Sequence, residues 1–598
     1  MSRERQTVTA PAATTARQPR SRGGAPLPQK ALLIGLDGAT FTILDPLMAR
    51  GVMPFLRDFV ARGVRAPLRS IIPALTPPAW TSLMTGKRPG GHGVFDFFQK
   101  EQPDGHHLRF ATSQDVGAET IWSLATRHGK RVTALNFPLM FPPPAVNGCV
   151  VPGGWMPWRQ LRLGCYPPGL FDRLRALPSF NARELALDMA FEEKAIEGCA
   201  TEEYAEWIAL HMRRERRWFE VLSYLMREEP ADLTAVLFDG VDKLQHLCWR
   251  FLDPTCRPAV PSAWEAEITG LCEAYFRQLD ELMAEIVSLA GPDTAVVLAS
   301  DHGFGPTADV FYLNTWLEQQ GYLAWAADGA AQGATGAPAA RPGGNAPQLG
   351  LGQIARHVFQ LDWERTIAYA ATPSSNGIHL VRRKPDGSPG LSPEAYQRVR
   401  RELVDALYAV RHPVTGRPIV AEVVTREAAF VGPYAALAPD LTVILADGGL
   451  VSILRGDTAI KPRPEIAGTH RAEGVLLAAG PGIRAGVTLP EVSIVDVAPL
   501  LLDCLGVPVP ADLAGCTPAS ALEPAARAAL GSTRRAPVAA VAPSAEPAPA
   551  ATDGAAKDAQ PQDGSRPAPE SNATADVVFD AEAEETMLKR LRALGYVE

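Results

Sequence analysis

Apolar residues fall along the chain in short unbroken runs that end on polar ones. The first, ALLIGL over 31–36, stops at Asp37 and Gly38. An apolar run of that length closed by an acid and a glycine predicts a strand buried on both faces, as in a parallel sheet. Runs of the same kind recur at 131–137, 232–238, 294–300, 441–445 and 474–479. Between them the period becomes helical, over 183–228 and over 263–290, where Trp264, Leu271, Tyr275, Leu279, Leu282 and Ile286 hold one face. Strands alternating with helices predict an α/β fold: a sandwich with a mostly parallel central sheet flanked by helices.

The pattern lapses in four places. Residues 1–28 form a Pro/Arg/Thr/Ala tail without an apolar core-forming set, which predicts disorder. Residues 326–349 are small, Gly/Pro/Ala-rich and aperiodic, the signature of a flexible insertion. Residues 523–577 have a similar composition and read as a disordered Ala/Pro-rich linker. The last segment, 578–598, has acids in its first turn, bases in its last, Leu588, Leu591 and Leu594 on a shared face, and Gly595 as a stop. It predicts a C-terminal helix that docks on the body or on a partner. Residues 29–522 are left as the catalytic domain.

Composition narrows the function. Of 598 residues, 46% are hydrophobic and 21% charged, ordinary for a folded protein, and the net charge of −8 excludes a broad basic face for nucleic acid. The eight cysteines lack any Cys-x-x-Cys pairing and read as buried free thiols of a reducing compartment. With no secretory h-region and no long apolar run, the expectation is a cytoplasmic protein without a membrane span.

The candidate chemistry sits where the apolar runs end. Asp37 closes the first run, and Asp301 and His302 close the run at 294–300. Asp242 and His246 follow the run at 232–238 with helical i, i+4 spacing, and His470 precedes the run at 474–479. Ligands of α/β sheets bind beyond the carboxyl ends of strands. Three Asp and three His gathered there suit Zn²⁺ or Mn²⁺, which take carboxylate and imidazole ligands. Each residue has a plainer alternative: a turn for Asp37 and for Asp-His-Gly, a solvated pair for Asp242 and His246. Thr76, followed by Pro77 and Pro78, starts a helical pattern, which fits a helix N-cap and equally a hydroxyl nucleophile in the positive potential of a helix start.

In this order the motifs resemble the alkaline phosphatase superfamily, and within it the type I phosphodiesterase/nucleotide pyrophosphatase branch with its bacterial phosphohydrolase relatives. The similarity spans about 30–520 and includes TIWSLATRHGKRVTALNFPLMFPPP, FYLNTWLEQQGYL and SIVDVAPLLLDCLGVPVPADLAG. The resemblance implies two divalent cations, one held by Asp37, Thr76, Asp301 and His302 and the other by Asp242, His246 and His470. It implies hydrolysis of a small phosphorylated substrate (a nucleotide, metabolite or lipid headgroup) by attack of Thr76 on phosphorus and hydrolysis of the phospho-threonine. Three carboxylates against two divalent ions leave about +1, which draws in an anion.

The chain departs from that family where the nucleotide pyrophosphatases place an Asn that holds a phosphate oxygen. Phe97 stands there, with Asp96 beside it, and Pro77 removes the N–H that follows the nucleophile. Lys243, Gln245 and Arg471 are the remaining candidates for contact with the substrate phosphate. A sulfatase is disfavoured, because the window Thr76-Pro77-Pro78-Ala79-Trp80 lacks the Cys or Ser and the Arg of its motif. A phosphotransferase or phosphomutase on the same fold, and a non-catalytic scaffolding member, stay open at this point.

Overall fold

The computed structural model describes residues 27–100, 102–106, 108–153, 156–186, 203–326, 360–449 and 451–533. The expected insertion at 326–349 and the expected helix at 578–598 lie outside them, apart from Ala326. In chain order the elements that matter are strands β1 (Ala31–Leu36) and β2 (Val64–Arg69), helix α1 (Thr76–Thr85), and strands β3 (Val132–Leu135) and β4 (Gly148–Val151). Helix α2 (Glu203–Glu228), strand β5 (Leu233–Phe238), helices α3 (Gly240–Leu252) and α4 (Ala263–Ala290), and strands β6 (Ala295–Ala299) and β7 (Gly303–Tyr312) follow. Strands β8 (Ile460–Arg471) and β9 (Glu473–Ala479) and helices α5 (Val497–Leu505) and α6 (Pro524–Thr533) close the described chain.

The main sheet is nine-stranded, and its run β4-β3-β5-β1-β6 is parallel, with β9 antiparallel between β6 and β2. Alternation along β1 explains the layering. Leu32, Ile34 and Leu36 enter one core with α2, α3 and α4, while Ala31 and Leu33 enter a second core with α1 and α5. Both faces are covered, so the strand is apolar throughout. Gly35 has a packing reason to be glycine, because a Cβ there would lie 2.7 Å from Trp80 Cη2 and 2.8 Å from Leu237 Cδ1.

Two expectations need adjustment. The run 441–445 is a strand, but it lies in a separate four-stranded antiparallel sheet with Ala368–Ala370, Gly377–Leu380 and Val420–Thr425, which has its own core. A buried apolar run does not encode which sheet it joins. The stretch expected as linker from residue 523 begins instead with α6, whose Ala526 is fully buried. Proline at the first helical position and an Ala-rich sequence favour helix there.

The second sheet is fastened to the body by Asp96. Its buried carboxylate accepts hydrogen bonds from Thr372 Oγ1 and Ser374 Oγ, both at 2.5 Å, and from the Phe97 N–H at 2.6 Å. Burial outweighs these donors and pushes the Asp96 pKa from 3.8 up to about 6.

Two stability predictions follow from this packing. Gly35→Ala is expected to destabilise the fold by about 1–3 kcal/mol through overpacking, read as a lowered denaturant midpoint. A carboxyl whose folded pKa lies above its unfolded one favours the folded state most below the unfolded value. The Asp96 contribution is therefore lost as pH rises from 3.8 through about 6. Comparing unfolding across that window, Asp96→Asn should flatten the decline that the native chain shows.

Candidate active site

The parallel strands deliver their acids to one rim. Asp37 follows β1, Asp239 follows β5, and Asp301 with His302 follows β6. Helix α3 starts at β5 and carries Asp242 and His246 one turn apart on one face. Its first N–H, from Gly240, is held by Glu215 Oε1 of α2 at 2.9 Å, and Tyr275 of α4 donates to the same oxygen at 2.8 Å. His470 arrives on β8, whose antiparallel register with β7 sets it opposite Phe304.

The structure brings Asp37, Thr76, Asp242, His246, Asp301, His302 and His470 together, all buried. One ligand atom each from Asp37, Asp301 and His302 lie within 4.8 Å of one another, as do those from Asp242, His302 and His470, and either group could hold a metal ion. His302 Nε2 lies 3.2 Å from Asp301 Oδ2 and 3.6 Å from Asp37 Oδ1. Asp242 Oδ1 lies 3.3 Å from His470 Nε2 and 3.5 Å from His246 Nε2. The Nε2 atoms of His246 and His470 face each other at 3.2 Å.

Tautomers follow from the outer contacts. His302 Nδ1 meets the Gly303 carbonyl at 3.1 Å, and His470 Nδ1 meets the Ala74 carbonyl at 2.9 Å. A carbonyl only accepts, so each Nδ1 carries the proton and each Nε2 turns a lone pair inward. Burial keeps both imidazoles below their ordinary pKa. Asp37 is raised by burial and then by the charge of Asp301, and Asp301 is raised by burial. Burial also pushes Asp242 upward, but the charge of His246 and the contacts of both histidines outweigh it and hold Asp242 well below the carboxylate range. Oδ1 of Asp37 and Oδ2 of Asp301 are buried and accept no hydrogen bond among the described residues. Inward lone pairs and unsatisfied carboxylate oxygens are the donor set a divalent cation takes.

Thr76 does not cap its helix. The N-cap of α1 is Leu75, which leaves Thr76 first and puts Pro77 and Pro78 at the next two positions. To cap, its side chain would have to accept from residue 78 or 79, but Pro78 has no N–H and the Ala79 N–H is held by the Leu75 carbonyl at 3.0 Å. The hydroxyl faces the centre instead, with Oγ1 3.2 Å from His302 Nε2.

Several neighbours were not legible as site residues. Trp80 Nε1 donates to Asp37 Oδ2 at 3.2 Å, the Gly38 N–H donates to Asp301 Oδ1 at 3.1 Å, and the Phe304 ring lies 4.8–5.8 Å from those of His246, His470 and His302. Gly38 has φ +67, and a Cβ on it would meet Phe304 at 2.7 Å, so both the turn and the packing require glycine. The only advance signals were positional: Trp80 one helical turn after Thr76, and Phe304 directly after Asp-His-Gly.

The three phosphate-contact candidates have other engagements. Lys243 Nζ forms a buried ion pair with Asp239 at 2.5 Å. Gln245 Nε2 donates to the Gly38 carbonyl at 2.8 Å, and Arg471 donates to the carbonyls of His470 and Pro306. Beside helix α1, Pro77, Phe97, Phe110, Phe137, Met140 and Phe141 line a narrow apolar slot of about 30 Å³.

Comparison with known proteins sets this geometry in context. The family model for type I phosphodiesterase / nucleotide pyrophosphatase matches residues 31–472. No curated protein matches the sequence. Among solved structures, phosphonoacetate hydrolase from Sinorhizobium meliloti 1021 in complex with phosphonoformate is 19% identical, with 81% of this chain and 96% of that one covered and a TM-score of 0.46. Human ectonucleotide pyrophosphatase / phosphodiesterase 5 is 14% identical, with 80% and 96% covered and a TM-score of 0.45. The chain belongs to the type I phosphodiesterase / nucleotide pyrophosphatase family and is a hydrolase of phosphoric esters.

Proposed function

We propose that the chain cleaves a phosphoric diester through a phospho-threonine formed on Thr76. The observation that carries this reading is the Thr76 hydroxyl itself, at the first helical position and set 3.2 Å from His302 Nε2 inside a ring of buried acids and imidazoles. Asp37, Thr76, Asp301 and His302 would hold one divalent cation and Asp242, His246 and His470 a second, with Zn²⁺ the best match to mixed carboxylate and imidazole ligands. When bound, such cations supply positive charge that favours the alkoxide of a nearby hydroxyl and offsets charge on the phosphoryl oxygens.

The chain's own residues do the rest. Thr76 Oγ1 forms the new bond to phosphorus as the bond to the leaving alcohol breaks. Water then cleaves the phospho-threonine, releasing a phosphate monoester and restoring the hydroxyl. Trp80 and the Gly38 N–H fix the carboxylates of Asp37 and Asp301, and the carbonyls of Ala74 and Gly303 fix the rings of His470 and His302. The slot beside Pro77 supports a diester with a small apolar group next to the phosphate, since its walls are aromatic and thioether side chains and its volume is about 30 Å³.

The test compares bis(p-nitrophenyl) phosphate with p-nitrophenyl phosphate, with and without chelator. The diester should be the better substrate, and chelator should abolish turnover. Thr76→Ala should lower kcat by about 10³-fold or more, as loss of a nucleophile does in other hydrolases. Full activity in Thr76→Ala removes the residue from the chemistry. Metal content gives a separate readout: His246→Ala and His470→Ala should each bind less zinc than the native chain in elemental analysis, while folding to the same circular dichroism spectrum.

A further inference from the structure

A groove away from the active site lies at the far end of α1. It has a volume of about 560 Å³ and is lined by Leu27, the segment after α5 including Val507, Val509 and Leu513, and Leu530 of α6. Leu27, Val509, Leu513 and Leu530 are half-buried, so their apolar surface is left partly open. The groove backs onto α1: the Ala514 N–H donates to the Gly86 carbonyl at 2.9 Å, and a Cβ on Gly86 would lie 3.0 Å from Leu513 Cδ1. Cys516 lines it too and is exposed, against the expectation that the cysteines are buried.

We propose that this groove is the docking site of the chain's own residues 578–598. Three observations converge on that occupant. The first is position: Leu530 of α6 lines the groove, and the described chain stops three residues later, at Thr533. The second is reach. As the Ala/Pro-rich linker that the sequence predicts, 534–577 would have a root-mean-square span of roughly 35 Å, which would keep a tethered segment at an effective concentration on the order of millimolar. The third is complementarity. Met587, Leu591 and Leu594 recur at i, i+4 and i+7 with Leu588 beside them, one apolar stripe of helical period. The other terminal stretch, 1–26, has no Leu, Ile or Phe and offers nothing for such a groove.

Cys516 reports occupancy. In the full chain its alkylation by N-ethylmaleimide, followed by peptide mass spectrometry, should be at least about tenfold slower than in full-length Leu588→Ser/Leu591→Ser/Leu594→Ser, with the rate at Cys256 unchanged. A synthetic peptide of residues 578–598, added to that triple variant, should restore the protection. Equal Cys516 rates in native chain and variant would overturn the proposal. So would protection that disappears on dilution, which would assign the groove to a second copy. A Leu591→Cys chain that forms no intramolecular disulfide with Cys516 under mild oxidation would also overturn it.

Discussion

The structure turns on a crowding of like groups that the fold imposes. Asp37 and Asp301 stand side by side in a buried space, and the inward lone pairs of His302 and His470 look onto the same space. Burial and mutual repulsion both oppose the ionised acids. Only a rigid frame keeps such groups from drifting apart, and the parallel strands β1 and β6 provide one, hydrogen-bonded along their length with both faces packed. A divalent cation reverses the sign of the problem, since the same oxygens and nitrogens that repel one another become its ligands.

Around that constraint the local sequence choices make sense together. Gly38 lets the chain turn beneath Phe304 while its N–H serves Asp301 and its carbonyl takes Gln245. Pro78 removes one N–H that would compete for the Thr76 hydroxyl, and the Leu75 carbonyl occupies the next, that of Ala79. Lys243 pairs with Asp239, so a fourth acid at the same rim is neutralised within the protein.

Much of this was legible in the sequence because buried parallel strands write themselves as unbroken apolar runs, and the acids that close those runs mark the rim. The Thr76 question was settled only by the structure, since the sequence Thr76-Pro77-Pro78 fits a cap with proline at the first helical position as well as a helix that starts at Thr76. What escaped is long-range. The pairing of β7 with β8 carries His470 to Phe304 across more than 160 positions, and nothing near either residue announces it. The separate sheet that takes Leu441–Leu445 escaped for the same reason. Lys243 and Gln245 illustrate a geometric limit. They neighbour Asp242 and His246 in sequence, but steps of one residue on a helix turn side chains about 100° away, and each found a partner elsewhere.

The position after Gly93 shows how a substitution changes what a site can select without touching its reactive groups. Phe97 stands where the family resemblance implies an amide, and the polar residue beside it, Asp96, is turned into Thr372 and Ser374. The carboxylate is thus satisfied inside the protein and leaves the slot wall to the ring of Phe97, beside Phe110, Phe141 and Pro77. A pocket built to hydrogen-bond its ligand rejects one that lacks the matching group, because buried polar atoms would stay unpaired. An apolar wall has no such group to leave unpaired, so it discriminates by shape and by the cost of stripping water from a polar ligand. On the proposed reading, selectivity would rest with the slot, and the acids and imidazoles at the strand ends would be indifferent to what the phosphate carries.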